Sequence, residues 1–155
     1  MSDVLEAIYR GDREEAERLA AERELDVFEA AALGRTERVR ELLEDEASLA
    51  NAWAEDGFQP LGLASFFGHA DTARLLVERG AEVNSASRNQ MKVMPLHSAA
   101  AAQDADVRYE IAKLLLDAGA DPNARQHDDF TPLMAADQHA DTRLRDLLVE
   151  HGATR

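Results

Sequence analysis

The chain has 155 residues, no cysteine and a formal net charge of −14 at pH 7. Nucleic acid is not expected as a direct ligand, because contacts to phosphate need a basic stripe that this composition lacks. The absence of cysteine excludes a disulfide framework and a thiolate site, and it favours the cytoplasm. Because the chain has no run of 18 apolar residues, no membrane span is expected. The N-terminus does not have a basic stretch followed by an apolar one, so no secretory signal is expected either.

The first two segments, residues 1–24 and 25–53, each predict a pair of helices. Apolar side chains recur at helical spacing on both sides of Gly11, and the second segment repeats this arrangement around Gly34. Residues 1–53 hold 15 Asp and Glu against 7 Lys and Arg, a net charge of −8. Such an acidic surface either serves solubility or steers a basic partner into place.

Three segments with one shared pattern follow, residues 54–86, 87–124 and 125–155. A proline is expected in the first turn of a helix in each, where its missing N–H costs nothing, at positions 60, 95 and 132. A glycine follows the second, Leu-rich helix in each and suits the left-handed end of a helix, at positions 80, 119 and 152. Repetition with a period near 33 predicts a solenoid.

The segments differ in length at two places. The proline and the closing glycine are 20 residues apart in the first and third segments and 24 apart in the second. We therefore expect four additional residues within 103–110, in the turn between the two helices. The turn before the second segment is longer as well, since Asn84 and Pro95 are 11 residues apart, against 9 in the equivalent turns.

This pattern resembles the ankyrin-repeat family, whose core motif is T-P-L-H-x-A. The corresponding residues in this chain are Met94-Pro95-Leu96-His97 and Thr131-Pro132-Leu133-Met134. The resemblance implies an all-α ankyrin-repeat solenoid of stacked helix-turn-helix units with short β-hairpin-like turns. It implies one domain over residues 1–155, with a capping helix pair (1–24), a degenerate repeat (25–53), a repeat (54–86), a repeat with insertions (87–124) and a C-terminal repeat (125–155).

The resemblance also assigns structural roles to polar residues. His69 and His97 match histidines that usually make structural hydrogen bonds. The other units lack the core histidine, at Phe28, Gly62 and Met134, so polar bonds between repeats are expected to be sparse. Asn84 and Asn123 are expected to bond their own turns.

No pattern of catalytic residues is present. The chain has no nucleophile elbow and no phosphate-binding glycine loop, and its five histidines lack zinc-site spacing. His127 with Asp128 and Asp129 resembles a metal ligand set only loosely. We expect a non-catalytic protein without metal or cofactor.

The resemblance implies that a partner protein binds the concave side, formed by hairpin tips and first helices. We expect a monomer in the cytoplasm that acts as an interaction module or adaptor. The alternative is an immunity-type acidic inhibitor that covers the basic active site of a toxic or nucleic-acid-acting enzyme. Carried over by position, the candidate partner-binding residues are Trp53, Phe58, Phe66, Phe67, Arg88, Met91, Lys92, Val93, Gln103, Arg125, His127, Phe130, Gln138 and His139.

Residues 83–103 contain no Asp or Glu, although one fifth of the chain is acidic. We expect the binding surface at Phe66, Phe67 and the acid-free turn 88–94 rather than on the acidic N-terminal helices. At least one of the two phenylalanines should be exposed, and adjacency on a helix should prevent both from facing one way. Phe58 and Phe130 are expected to pack against the neighbouring hairpin.

Overall fold

The computed structural model describes residues 1–154, which form ten α-helices in five contacting pairs and contain no β-strand. Two short 3-10 segments lie at Ala47–Asn51 and His127–Asp129. The expected all-α fold of paired helices is thus confirmed. In chain order the helices are α1 Asp3–Tyr9, α2 Arg13–Ala20, α3 Val27–Leu33, α4 Thr36–Asp45, α5 Pro60–Phe66, α6 Ala70–Glu78, α7 Pro95–Ala100, α8 Ala105–Asp117, α9 Pro132–Gln138 and α10 Thr142–Glu150.

The helices stack in two rows. In the first row α1, α3, α5, α7 and α9 each contact the next, and in the second row α4, α6, α8 and α10 do the same. Fully buried alanines at Ala64, Ala99 and Ala136 line the first row, so its backbones approach closely. Leucines from both rows fill the space between them, and Leu76, Leu115 and Leu148 are each 0% exposed.

Each of the three repeated segments starts its first helix at the predicted proline. In the degenerate repeat, Asp26 caps α3 and forms a capping box with Glu29. The position equivalent to His97 is therefore Glu29, and the assignment of Phe28 to it was wrong. Glu29 is fully buried; its carboxylate accepts from the backbone N–H of Asp26 (3.0 Å) and pairs with Arg23.

The four additional residues of the second repeated segment are helical, which corrects their expected place in a turn. Helix α8 has 13 residues, against 9 in each of α6 and α10. Asp104 caps the longer helix by accepting from the backbone N–H of Asp106 (2.9 Å) and Val107 (3.1 Å). The extra turn carries Arg108, whose guanidinium donates to the carbonyls of Ala102 (2.8 Å) and Gln103 (3.0 Å).

The turn asparagines bond the next repeat rather than their own turn, which corrects a second expectation. Asn84 donates to the carbonyl of Gly119 (3.0 Å) and accepts from the N–H of Asp121 (2.8 Å). The same pair of bonds, one to a glycine carbonyl and one from an N–H two residues later, recurs at Asn51 and Asn123. Polar bonds between repeats are consequently more regular than expected.

His97 connects α7 to the following repeat. Its Nδ1 accepts from the N–H of Met94 (3.3 Å), and its Nε2–H donates to the carbonyls of Ala124 (3.0 Å) and Phe130 (3.1 Å). This arrangement requires a neutral ring protonated on Nε2, because the two carbonyls can only accept and Nδ1 must itself accept from an N–H. Burial lowers the pKa of His97, although the two carbonyls act in the opposite direction.

We expect His97 to make the fold less stable in mild acid. Because its folded pKa is below the ordinary value of 6.5, the unfolded chain takes up the proton first as the pH falls. Stability is therefore lost as the pH drops through about 6.5 towards the folded pKa, and the group contributes no pH dependence well above 7. Urea unfolding at pH 7.5 and 5.5 measures this loss. It should shrink in His97→Gln and stay unchanged in His139→Gln, whose side chain is exposed. Equal losses in all three proteins would contradict the assignment.

Candidate functional site

The turns that precede α5, α7 and α9 lie side by side. Each is closed by one backbone hydrogen bond, from Ala54 N–H to Phe58 C=O (2.8 Å), from Ser87 to Val93 (2.8 Å) and from Gln126 to Phe130 (3.0 Å). The middle turn encloses two more residues than the others, which places the extra length within 88–92. Successive turns are also joined, by Arg88 N–H to Gly57 C=O (2.8 Å) and His127 N–H to Met91 C=O (2.9 Å).

Side chains within the middle turn hold it in one conformation. Ser87 Oγ donates to Asn89 Oδ1 (2.8 Å) and accepts from the N–H of Val93 (2.8 Å), while Asn89 Oδ1 also accepts from the N–H of Met91 (3.0 Å). Asn89 Nδ2 donates to the carbonyl of Asp56 on the preceding turn (3.0 Å). A turn ordered in advance loses little conformational entropy when a partner binds.

Close approach between the first two turns requires glycine at position 57. Gly57 has φ +90°, and a Cβ there would lie 2.5 Å from the carbonyl oxygen of Arg88. The bond between the turns thus depends on a residue without a side chain.

An apolar groove of about 300 Å³ lies between these turns and the first-row helices. The candidates Phe58, Phe66, Phe67, Met91 and Val93 line it, and no Asp, Glu, Lys or Arg does. Phe66 is 45% and Met91 is 48% exposed. The remaining lining residues are Tyr9, Gly62, Leu63, His97, Ser98, Ala101 and Gln126.

Phe66 and Phe67 both face this groove, which corrects the expectation that adjacency keeps them apart. Their rings meet edge to face with centroids 5.0 Å apart. Phe67 is the C-cap of α5, and its N–H still donates to the carbonyl of Leu63 (3.1 Å) as in the helix. Phe66 is the exposed member, and Phe67 is half-buried against the core.

Tyr9, at the end of α1, is a groove residue that the sequence interpretation missed. Its ring centroid lies 5.7 Å from that of Phe67, and its hydroxyl donates to Asp56 Oδ2 (2.7 Å). Burial, with the bond to Asp56, raises the pKa of Tyr9. Helix α1 therefore contributes one residue to the lining of the groove. Nothing local in the sequence marks Tyr9, because its partners lie 47 or more residues away.

The other candidates surround the groove or lie away from it. Trp53 lies outside, beneath Arg88, whose guanidinium carbon is 4.0 Å from its ring centroid. Phe130 is half-buried and, like Phe58, packs on the core. The exposed candidates at the turn tips and helix ends are Lys92, Gln103, Arg125, His127, Gln138 and His139.

In residues 1–154, no three His, Asp or Glu side chains converge so that they could hold a metal ion. His127 lies 3.4 Å from Asp128, and both side chains are exposed. Every helix of this part of the chain is too short or too polar to cross a bilayer.

Comparison with known proteins identifies the architecture. Residues 5–87 and 27–126 match the family model described as ankyrin repeats (3 copies). The chain is 37% identical over 106 residues to neurogenic locus notch homolog protein 1 of Mus musculus, covering 68% of this chain and 4% of that protein. It is 35% identical over 112 residues to E3 ubiquitin-protein ligase Ufd4 of Drosophila melanogaster, covering 72% of this chain and 4% of that protein.

A third relative is ankyrin repeat and SAM domain-containing protein 6 of Rattus norvegicus, 32% identical over 108 residues, or 68% of this chain and 11% of that protein. The chain thus spans only a small part of these relatives. Ankyrin repeats are generally protein–protein interaction modules. Because the family model spans more than half of the chain, and its helix pairs stack with aligned turns, the protein belongs to the ankyrin-repeat family.

Proposed function

We propose that this chain is a non-catalytic interaction module or adaptor, monomeric and cytoplasmic, that binds a partner protein through the apolar groove and the middle turn. The observation that carries the proposal is the groove itself, which gathers five candidate residues from two adjacent repeats on one face. Two of them, Phe66 and Met91, are large, apolar and nearly half exposed. Interface centres favour aromatic and Met side chains, because these bury large areas at modest entropic cost.

The immunity-type inhibitor remains the second candidate, and the exposed acidic run 44–46 supports it. Much of the N-terminal acid is engaged within the chain, however. Glu15 pairs with Arg18, Glu17 pairs with Arg35, and Arg38 lies near two glutamates. Exposed pairs of this kind reduce the field that a basic partner would meet. The apolar groove is therefore the better-supported site.

Replacing Phe66 with Ala and Met91 with Ser together should abolish binding of the native partner. Losing buried interface side chains typically costs a complex about 2 kcal/mol or more. Because both side chains are exposed in the free protein, the melting temperature should change little. The measurement is quantitative affinity capture from lysate of the cells that produce the protein, with each captured protein compared between variants.

Met134→Ser is the matched control, since Met134 is 46% exposed and lies outside the groove. It should capture the same partner as the unmodified chain. A second variant distinguishes the two candidate functions by replacing the three acidic residues 44–46 with Lys. If this charge reversal destroys capture while the groove variant binds normally, the inhibitor function is correct and the groove is not the site.

A further inference from the structure

We propose that the partner segment seated in the apolar groove is acidic: it places a bulky apolar side chain between Phe66 and Met91, and a carboxylate beside Arg88 and Lys92. The inference rests on the interaction function proposed above and names the chemistry of the partner. It follows from how the cations of the protein are distributed.

Most Lys and Arg side chains in residues 1–154 lie within 4.0 Å of a carboxylate of the same chain. The exceptions in this range are Arg10, Arg13, Arg88 and Lys92. For a protein of net charge −14, a cation that has no carboxylate neighbour is unusual. Two of these four lie in the middle turn, and a third, Arg13, lines a depression next to the groove.

Lys92 stands between two groove residues, Met91 and Val93, and is exposed. Its φ of +50° is a left-handed conformation that a lysine seldom adopts, and the bonds around Ser87 and Asn89 hold the turn that imposes it. The turn thus holds the backbone of Lys92 between these two groove residues.

Arg88 is fixed in a different way, by stacking on Trp53. A stacked guanidinium keeps the N–H groups in its plane available for a carboxylate. Three of the four acids of the adjacent turns are already engaged, and Glu55 among them pairs with the N-terminal ammonium. Asp56 accepts from Tyr9 and from the N–H of Phe58 (3.3 Å), and Asp129 lies 3.9 Å from Arg125.

Arg13 lines a depression that adjoins the groove and shares Phe66 and Phe67 with it. The acid in this depression is Asp104, which caps α8. Cations therefore lie in the middle turn, beside the groove residues Met91 and Val93, and in the depression that adjoins the groove, while the groove lining carries no Asp, Glu, Lys or Arg.

The charges close to the groove determine which peptide segments can bind in it. At physiological ionic strength the screening length is about 8 Å, so the distant acidic helices act weakly on a segment inside the groove. A basic segment would face Arg88 and Lys92 at close range, which disfavours it although the net charge of the protein is negative. Like-charge contact excludes wrong partners and opposite charge fixes register.

Selection from a phage-displayed library of random 12-residue peptides tests the proposal, with the unmodified chain as bait and Phe66→Ala for counter-selection. The enriched peptides should carry an aromatic or large aliphatic residue with Asp or Glu nearby. Fluorescence anisotropy on synthetic copies should show roughly tenfold or greater weakening by Arg88→Glu with Lys92→Glu, and weaker binding at high salt. Lys92→Gln should give a smaller loss in the same direction.

Arg143→Glu is the matched control, because Arg143 stacks on Tyr109 (3.8 Å) in the same manner but lies outside the groove. It should leave peptide affinity within about twofold. Enriched peptides that depend on Phe66 but carry basic or neutral flanks would overturn the acidic-partner inference and leave the interaction function standing. No enrichment, or enrichment indifferent to Phe66→Ala, would overturn both.

Discussion

Replacing Asp141 with Asn is expected to lower the free energy of unfolding by about 3–5 kcal/mol, because the Arg108 guanidinium is then left buried without its carboxylate. Arg108 Nε donates to Asp141 Oδ2 at 3.0 Å, and the two side chains are only 7% and 6% exposed. Asn can still cap α10, where Asp141 Oδ1 accepts from the N–H of Leu144 (3.0 Å). The loss therefore reports the ion pair rather than the cap. Urea unfolding measures it.

The matched control is Arg143→Gln, which removes the exposed pair with Asp106, whose side chains are 61% and 90% exposed. Exposed pairs contribute about 0–1 kcal/mol, so this change should be small. Combining Asp141→Asn with Arg108→Met should recover part of the loss, since no charge then remains buried. If Asp141→Asn and Arg143→Gln lowered the free energy of unfolding equally, the buried pair would contribute no more to stability than the exposed one.

Truncating Leu115 to Ala is expected to cost about 2–5 kcal/mol, the range for a buried Leu that leaves a cavity. Leu115 is 0% exposed on α8, which packs against α7, α6 and α10. Its half-buried neighbour Leu114 is the matched control, and Leu114→Ala should cost clearly less.

The position of the lost leucine should also matter. Leu148 on α10 is equally buried but belongs to the last repeat, and in a solenoid each repeat contacts only its neighbours. Hydrogen exchange should therefore show Leu148→Ala loosening α9 and α10 while α1 to α4 keep their protection. Protection lost uniformly along the chain would contradict this and indicate one fully cooperative unit.

The fold was predictable from the sequence because its signals are local. Proline in a first helical turn, glycine after a Leu-rich helix and apolar spacing near 3.6 act within a few residues, and their repetition indicated stacking. The same local signals misplaced the insertion before α8. The sequence showed that four residues are inserted, but it did not show whether they lengthen the turn or the helix. The helix is the longer element because Asp104 caps it and two carbonyls accept from Arg108.

The candidate site was only partly predictable. The resemblance indicated the face, and composition indicated Phe66, Phe67 and the acid-free turn. Whether these side chains lie close together in space depends on the packing of the repeats, which the sequence does not show directly. Tyr9 reaches the groove from a helix that looked like an acidic cap, and Trp53 serves as a platform beneath Arg88.

The sequence alone thus specified helix pairs, their boundaries to within a few residues, and a stacked repeat architecture, because backbone preference and apolar periodicity act over short spans. The groove, the buried pair of Arg108 with Asp141 and the buried carboxylate of Glu29 arose only when the repeats packed. Arg108 and Asp141 are 33 residues apart, and Tyr9 and Asp56 are 47 apart. Such contacts are set by how neighbouring repeats rotate and approach, and that is a property of the whole stack rather than of any single segment.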